Sequence, residues 1–315
     1  MEESVKSAVG FSLPDREVAW NKRDLLTYAV GVGAKKDDFA YIYELIPDPK
    51  FSALPTYPVV LALKGAEQDV NLFASRAKGS VQVPGIPSMD PNKMLHGSQS
   101  VEVLKKLPLV SGPGWKWTSR YTGISENKTG IVITMENMLI DPNGIPYARF
   151  YSSTFNLGAK ANGTSFTKVI ANAPVAKAAP KNRAPDWIIK DQTSPEQAIL
   201  FRLSGDYNPL HIDPSIGHAA GFGGVILHGL STYGFIARGL IKAIANNDPD
   251  ALTLFGVMFT SPVKPGDALE THAWEVGPGP NGTTEISFIT KNVATGKLSL
   301  GSGIAYIKKS EKGKL

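Results

Sequence analysis

One long apolar stripe followed directly by strands constrains this chain most. Leu230, Tyr233, Gly234, Ala237, Leu240, Ile241 and Ile244 recur at helical spacing from a start near His228. The run Asn246, Asn247, Asp248, Pro249 then stops the helix. Residues 251–260, 268–277, 283–292 and 297–308 read as strands, parted by turns at Pro265-Gly266-Asp267, at Gly277 to Gly282 and at Ala294 to Lys297. An apolar helix must cover its stripe, and the meander beside it offers the apolar face of a sheet. The pattern is α+β.

A shorter helix precedes this unit. Ser194 is placed to N-cap it, Pro195 suits its first position, Gln197 completes a capping box and Gly205 ends it. The N-terminal half repeats the order more faintly, with helices over 21–32 and 55–75 and strands near 98–107, 113–123, 129–140 and 145–156. Leu95-His96-Gly97-Ser98 echoes Leu227-His228-Gly229-Leu230, and Gly33 follows its helix as Gly205 follows its own. These echoes suggest an old duplication. The stretch 157–190, rich in Ala, Lys, Pro and Asn, reads as the connection. The expected division is 1–160, a linker at 161–187, and 188–315.

The composition removes several chemistries. With no cysteine among 315 residues, disulfides, thiolate metal sites and cysteine nucleophiles drop out. The net charge of +5 is dispersed, with no basic stripe interleaved with aromatics, so nucleic acid is not an expected partner. The mild excess of positive charge favours a small polyanionic ligand. No apolar run reaches 18 residues, so no membrane-spanning helix is expected, and the acidic start Met1-Glu2-Glu3-Ser4 has no signal-peptide character. The Asn-x-Ser/Thr sequons at Asn127, Asn162 and Asn281 therefore read as chance matches.

The densest group of reactive side chains is Asp206-x-Asn208-x-x-His211, in a turn between the two C-terminal helices. A carboxylate and an imidazole in one turn offer an acid and a base, and Asn208 adds a neutral donor and acceptor. The competing reading is local: an Asx turn that satisfies its own backbone, with His211 in the core. His211, Asp213, His218 and His228 could also be read as metal ligands, but their spacing fits no compact motif, so no metal is expected. There is no G-x-S-x-G elbow, and Gly31-Val32-Gly33 closes a helix instead of opening one after a strand, which disfavours a dinucleotide site. Gly229 stands at the start of the long helix, where amides lack intrahelical partners, and is a candidate oxyanion donor. A plain helix start with His228 buried is the alternative.

At these residues the chain resembles the MaoC-like (R)-specific 2-enoyl-CoA hydratase family, hydratase 2. The likeness is carried by Phe201 to Pro214, Ala220 to Phe222, Ile226 to Leu230, Phe259 to Asp267, Tyr28 to Ala34, Phe51 to Thr56 and Leu95 to Gly97. The resemblance implies a double hot dog fold, two antiparallel sheets each wrapped around a long central helix. It also implies a catalytic C-terminal half and an N-terminal half that has lost the catalytic block and accommodates acyl chains. Ala34, Lys36 and Phe39 then stand where Asp206, Asn208 and His211 stand.

The same resemblance assigns Asp206 and His211 to the water and its proton, Asn208 to positioning the water, and the Gly229 N–H to the thioester oxygen. His96, Gly97 and His228 become substrate-binding candidates. The substrate is an acyl-CoA thioester, no cofactor is needed, and a homodimer is implied by analogy. A biosynthetic dehydratase of specialised acyl thioesters is the first rival, and a non-catalytic thioester-binding module the second. Gly223-Gly224-Val225 departs from the family's Lys/Arg-Pro pair, which puts the usual CoA contacts in question. Gly313-Lys314-Leu315 resembles a peroxisomal C-terminal signal, with a cytoplasmic location as the alternative.

Overall fold

A computed structural model describes residues 6–45, 50–70, 81, 83–86, 94–160 and 165–309. The N-terminal half contributes β1 (Ser12–Glu17), β2 (Met94–Val103), β3 (Lys116–Asn127), β4 (Gly130–Ile140) and β5 (Pro146–Leu157). After β6 (Phe166–Val169) comes the C-terminal set: β7 (Trp187–Gln192), β8 (Leu252–Phe259), β9 (Ala268–Pro278), β10 (Thr284–Asn292) and β11 (Leu298–Ile307). The helices are α1 (Lys22–Gly31), α2 (Phe39–Ile42), α3 (Leu61–Lys64), α4 (Gln197–Arg202), α5 (Pro214–Ala219) and α6 (Gly229–Ala245).

The strands join in the order β1-β3-β4-β5-β2-β8-β11-β10-β9-β7, with β6 pairing β3. Read inward from each end, the two halves run β1-β3-β4-β5-β2 and β7-β9-β10-β11-β8, the same order. The duplication is therefore real in the topology. The two half-sheets are not separate, however. The pairs Ser98↔Met258, Ser100↔Gly256 and Glu102↔Leu254 join β2 to β8 antiparallel, so one sheet runs through the molecule.

The long helix α6 lies inside this sheet. Tyr233, Phe235, Ile236, Leu240 and Ile241 are all buried, and burying side chains of this size contributes roughly 1.5–3 kcal/mol each. The core is continuous across the halves, with Val101, Trp117 and Phe150 of one in the same cluster as Tyr233, Phe255 and Phe288 of the other.

The N-terminal half has no matching long helix among the described residues. The expected helix over 55–75 appears as a 3-10 turn at Tyr57–Val60 and the single turn α3, ended at Gly65, which takes φ 65°. Residues 71–80 lie outside the described residues. The helix expected at 21–32 forms as α1 behind an Asn21 capping box, with the Asn21 side chain accepting from the Arg23 and Asp24 amides.

Three expectations need correction. Ser194 does not cap α4: its hydroxyl is buried without a partner among the described residues, while Gln197 accepts from the Ser194 amide at 3.4 Å and donates to Gly31 O at 2.8 Å. Gln197 is drawn to the open end of α1, whose last carbonyls have no intrahelical donor. The echo of His96-Gly97 and His228-Gly229 is not a trace of the duplication, because the first pair lies in β2 and the second opens α6. By chain order, the counterpart of His228-Gly229 lies just ahead of the 3-10 turn at Tyr57. Finally, the expected linker holds a strand, β6, and its later part is pinned to the C-terminal strands. Ser287 Oγ donates to Lys177 O at 2.9 Å and Trp274 Nε1 to Arg183 O at 3.1 Å.

Candidate active site

The turn between α4 and α5 carries the acid/base group. Gly205 starts it at φ +116°, where an added Cβ would stand 2.7–2.9 Å from the Cβ, Cα and N of Lys64. Only glycine permits both that conformation and that approach. Asn208 forms the Asx turn: its Oδ1 accepts from Leu210 N at 3.0 Å, and its own amide donates to Asp206 Oδ1 at 3.3 Å. The local reading thus holds for the Asn208 oxygen, and its NH2 group remains for another partner.

His211 is buried, and its Nδ1 lies 2.9 Å from Ile226 O. A carbonyl only accepts, so in the neutral ring Nδ1 carries the hydrogen and Nε2 offers the lone pair. His228 is buried as the residue ahead of α6. Its Nε2 donates to Asp206 O at 3.1 Å, and its Nδ1 is buried with no partner among the described residues. The His211 and His228 rings stack at 3.7 Å. One functional atom each from Asp206, His211 and His228 fall within 4.8 Å of one another.

The environment keeps both imidazoles neutral. Desolvation lowers the His211 pKa and outweighs the opposing Asp206 charge and the Ile226 contact. Desolvation, the His211 ring and Arg202 press that of His228 well down. A charged ring in so dry a place would lose its hydration.

These three residues do not make a convincing metal centre. Stacked rings send their in-plane lone pairs side by side, whereas a metal needs them to converge. The other two candidate ligands are elsewhere: Asp213 caps the Ser215 amide at 2.8 Å, and His218 Nδ1 lies against Pro214 O at 2.6 Å.

Gly229 opens α6, so its N–H has no i−4 carbonyl and points out of the helix start. The Phe259 ring packs beside it, 3.1 Å from where a Cβ would lie. His96 reaches this place from β2 and packs on Phe259 with ring centroids 4.6 Å apart. Gly97 is the irregularity in β2, where pairing with β5 shifts between His96 and Ser98. A Cβ there would stand 2.8 Å from Ser153 Oγ. The structure therefore gathers Asp206, Asn208, His211, His228 and Gly229, and sets His96 one layer behind through Phe259. Gly97 serves the backbone.

Phe259 and Arg202 were not among the expected site residues. The Arg202 guanidinium lies over the Tyr207 ring at 5.0 Å, and its buried Nε has no partner among the described residues. Both stand inside the family-like stretches, which was the available signal. The departure at Gly223-Gly224-Val225 also has a cause. Gly223 and Gly224 take φ +67° and +122°, and Gly224 O lies 2.0 Å from where a Gly217 Cβ would be. The loop folds back onto α5 in a conformation that a lysine or arginine would strain.

Comparison with known proteins identifies the family and the fold. Residues 176–298 match the MaoC like domain, and residues 19–158 match the MFE-2 hydratase 2 N-terminal domain. A probable enoyl-CoA hydratase 2 of Dictyostelium discoideum is 33% identical over 317 residues, with 100% of both chains covered. A peroxisomal multifunctional enzyme type 2 of Mus musculus is 37% identical over 95% of this chain, which spans only 38% of that protein. The crystal structure of a MaoC-like dehydratase from Phytophthora capsici superposes with a TM-score of 0.84 at 33% identity, covering 98% of this chain and 99% of that one. A double-hotdog protein of Mycobacterium tuberculosis, at 12% identity and a TM-score of 0.57, shares the fold.

Proposed function

The chain belongs to the MaoC-like hydratase 2 family, and from that premise we propose that it is a hydro-lyase that adds water reversibly to trans-2-enoyl-CoA, giving the (3R)-3-hydroxyacyl-CoA of fatty-acid β-oxidation. The observation that carries the reading is the approach of Asp206, His211 and His228 to within 4.8 Å of one another, with His211 held so that its Nε2 keeps the lone pair and with His228 directly ahead of the first amide of α6.

Hydration of a conjugated thioester forms a C3–O bond and a C2–H bond. The thioester oxygen carries enolate charge between the two events. Asp206 and His211 Nε2 hold the water and shuttle its proton: one proton leaves the water as its oxygen meets C3, and one is delivered to C2. The Asn208 NH2 group positions the water. The Gly229 N–H, at the positive end of α6, receives the enolate charge. His228 fixes the catalytic turn through Asp206 O, and with His96 it bounds the substrate's path. No oxidation state changes, so the reaction asks for no redox cofactor.

The assay follows loss of the enoyl-thioester absorbance of trans-2-decenoyl-CoA, with chiral analysis of the product. Wild-type chain should form the (3R) alcohol, and Asp206→Asn and His211→Ala should each reduce turnover by about 100-fold or more. Near-normal rates in either variant would sink the assignment. A folded wild type inert toward this substrate but active on carrier-bound or branched 3-hydroxyacyl thioesters would instead favour the biosynthetic dehydratase, the reading that the glycine loop at 223–224 keeps in view.

The peroxisomal location, signalled by Gly313-Lys314-Leu315 outside the described residues, and a homodimeric assembly belong to this same proposal. Import of a fluorescent fusion carrying these three residues, and light scattering in solution, test them. Among the described residues no helix is long and apolar enough to cross a membrane.

A further inference from the structure

The repeated strand order gives the molecule a pseudo-twofold axis through the β2–β8 pair. The candidate active site lies where the end of β8 (Phe259), the early part of β2 (His96) and the start of α6 meet. Turning about the axis exchanges β8 with β2, so the mate of this site lies where the end of β2 meets the start of β8. It must also adjoin the helical turn opening at Tyr57, the N-terminal counterpart of the α6 start.

A cavity of about 240 Å³ occupies that place. It is lined by Leu54, Pro55 and Pro58 beside the helical turn, by Val103 to Leu107 at the end of β2, and by Leu252 and Thr253 at the start of β8. It adjoins Pro249 and Asp250 beyond the far end of α6. At about 1.5 Å per residue, the 17 residues of α6 separate that end from Gly229 by roughly 25 Å. The cavity and the catalytic cleft are thus at opposite ends of the helix.

The acid/base turn has no working counterpart at this end. The segment after Gly33 supplies Asp38 instead, which is buried and tied into α6: it accepts from Arg238 at 3.2 Å, Lys242 at 3.0 Å and Asn247 at 3.3 Å. Thr56 precedes the turn at Tyr57 as His228 precedes α6. Chemistry is lost there, while the hollow itself persists.

Its lining is amphipathic. Leu54, Val103, Leu107 and Leu252 make apolar walls, and Lys105, Lys106 and Lys308 stand at the rim against a single acid, Asp250. The Asp250 carboxylate pairs with Lys106 at 2.7 Å. Lys105 stands over the Tyr147 ring at 5.7 Å. Two lysines above an apolar floor suit a ligand with an apolar tail and a polyanionic head.

We propose that this cavity is a second, non-catalytic binding site for an acyl thioester of a phosphorylated carrier, the class of molecule that the catalytic end turns over. The inference rests on the function proposed above, since that reading supplies the ligand class.

Decanoyl-CoA, which has no double bond to hydrate, is the probe, titrated calorimetrically into the full chain. Two equivalents per chain are expected for wild type, and one for Lys105→Glu/Lys308→Glu. Lys105→Met/Lys308→Met keeps the side-chain length without the charge and should weaken the second event at least tenfold. Circular dichroism establishes that each variant is folded. One equivalent in wild type overturns this inference and leaves the hydratase reading intact. Two equivalents in all three proteins overturn it as well, by placing the second site elsewhere. No binding at all overturns both readings.

Discussion

At the scale of single residues, pH is the sharpest probe of the site. In the unfolded chain a histidine gains its proton near pH 6.5, but the folded chain holds His211 and His228 neutral below that value, chiefly by desolvation. Between those points the unfolded chain binds more protons, so acid favours unfolding. The melting temperature should therefore fall as pH drops from about 7 toward 5, and His228→Gln should show a shallower fall when the two are scanned side by side. An equal slope would mean that these imidazoles are not kept neutral. The same neutrality suits the base role proposed for His211, because a base must be unprotonated to take a proton. Reintroducing one carboxylate at the other end should achieve nothing: Ala34→Asp in an Asp206→Asn background leaves turnover at the level of the single variant, since no stacked imidazole pair stands beside it. The candidates Asp206, Asn208, His211 and Gly229 could be picked out in the sequence because reactive side chains and a helix start are concentrated there in short motifs. The stacking of His228 on His211 was not, since it depends on a contact 17 positions apart made by the course of the chain between them.

At the scale of elements, the close approaches are the points of failure. Gly205→Ala adds a Cβ against the Lys64 backbone at a positive φ, and should cost about 2–4 kcal/mol in denaturant unfolding, with catalysis impaired as the turn shifts. Arg238 joins three segments, bonding Val32 O at 3.1 Å, Asp38 at 3.2 Å and Asp191. In this cluster burial opposes the charge on Asp38, but the Lys35 amide, Lys242 and Arg238 outweigh it and hold the carboxyl below its usual range. Asp38→Ala leaves Arg238 with one carboxylate fewer in a dry place and should destabilise by about 3–5 kcal/mol. A loss under 1 kcal/mol in the same unfolding assay would show that water enters the cluster. The main strands of both meanders were readable within a few residues, because alternation and turn chemistry are local. The edge strands β1, β6 and β7 were not. They take their shape from partners far away in sequence, as when Trp187 pairs with Ala273.

At the scale of the whole molecule, the expected double hot dog fold holds, and the seam is the part that was not foreseen. The two half-sheets, expected apart, are joined into one, with a single long helix among the described residues, because β2 and β8 each end a half-sheet with backbone groups that the other strand satisfies. That seam makes the halves poor candidates for separate life. A C-terminal half cut loose would carry β8 as a bare, largely apolar edge, and edges of that kind seek a strand. The strand that fits is another β8, since the two halves already share one topology across this line. An isolated C-terminal half should therefore be found as a pair in solution, with two copies of the acid/base turn where the intact chain has one. Fusion of the halves has given the protein an internal partner that cannot dissociate, and so left one of its two clefts free to lose its chemistry.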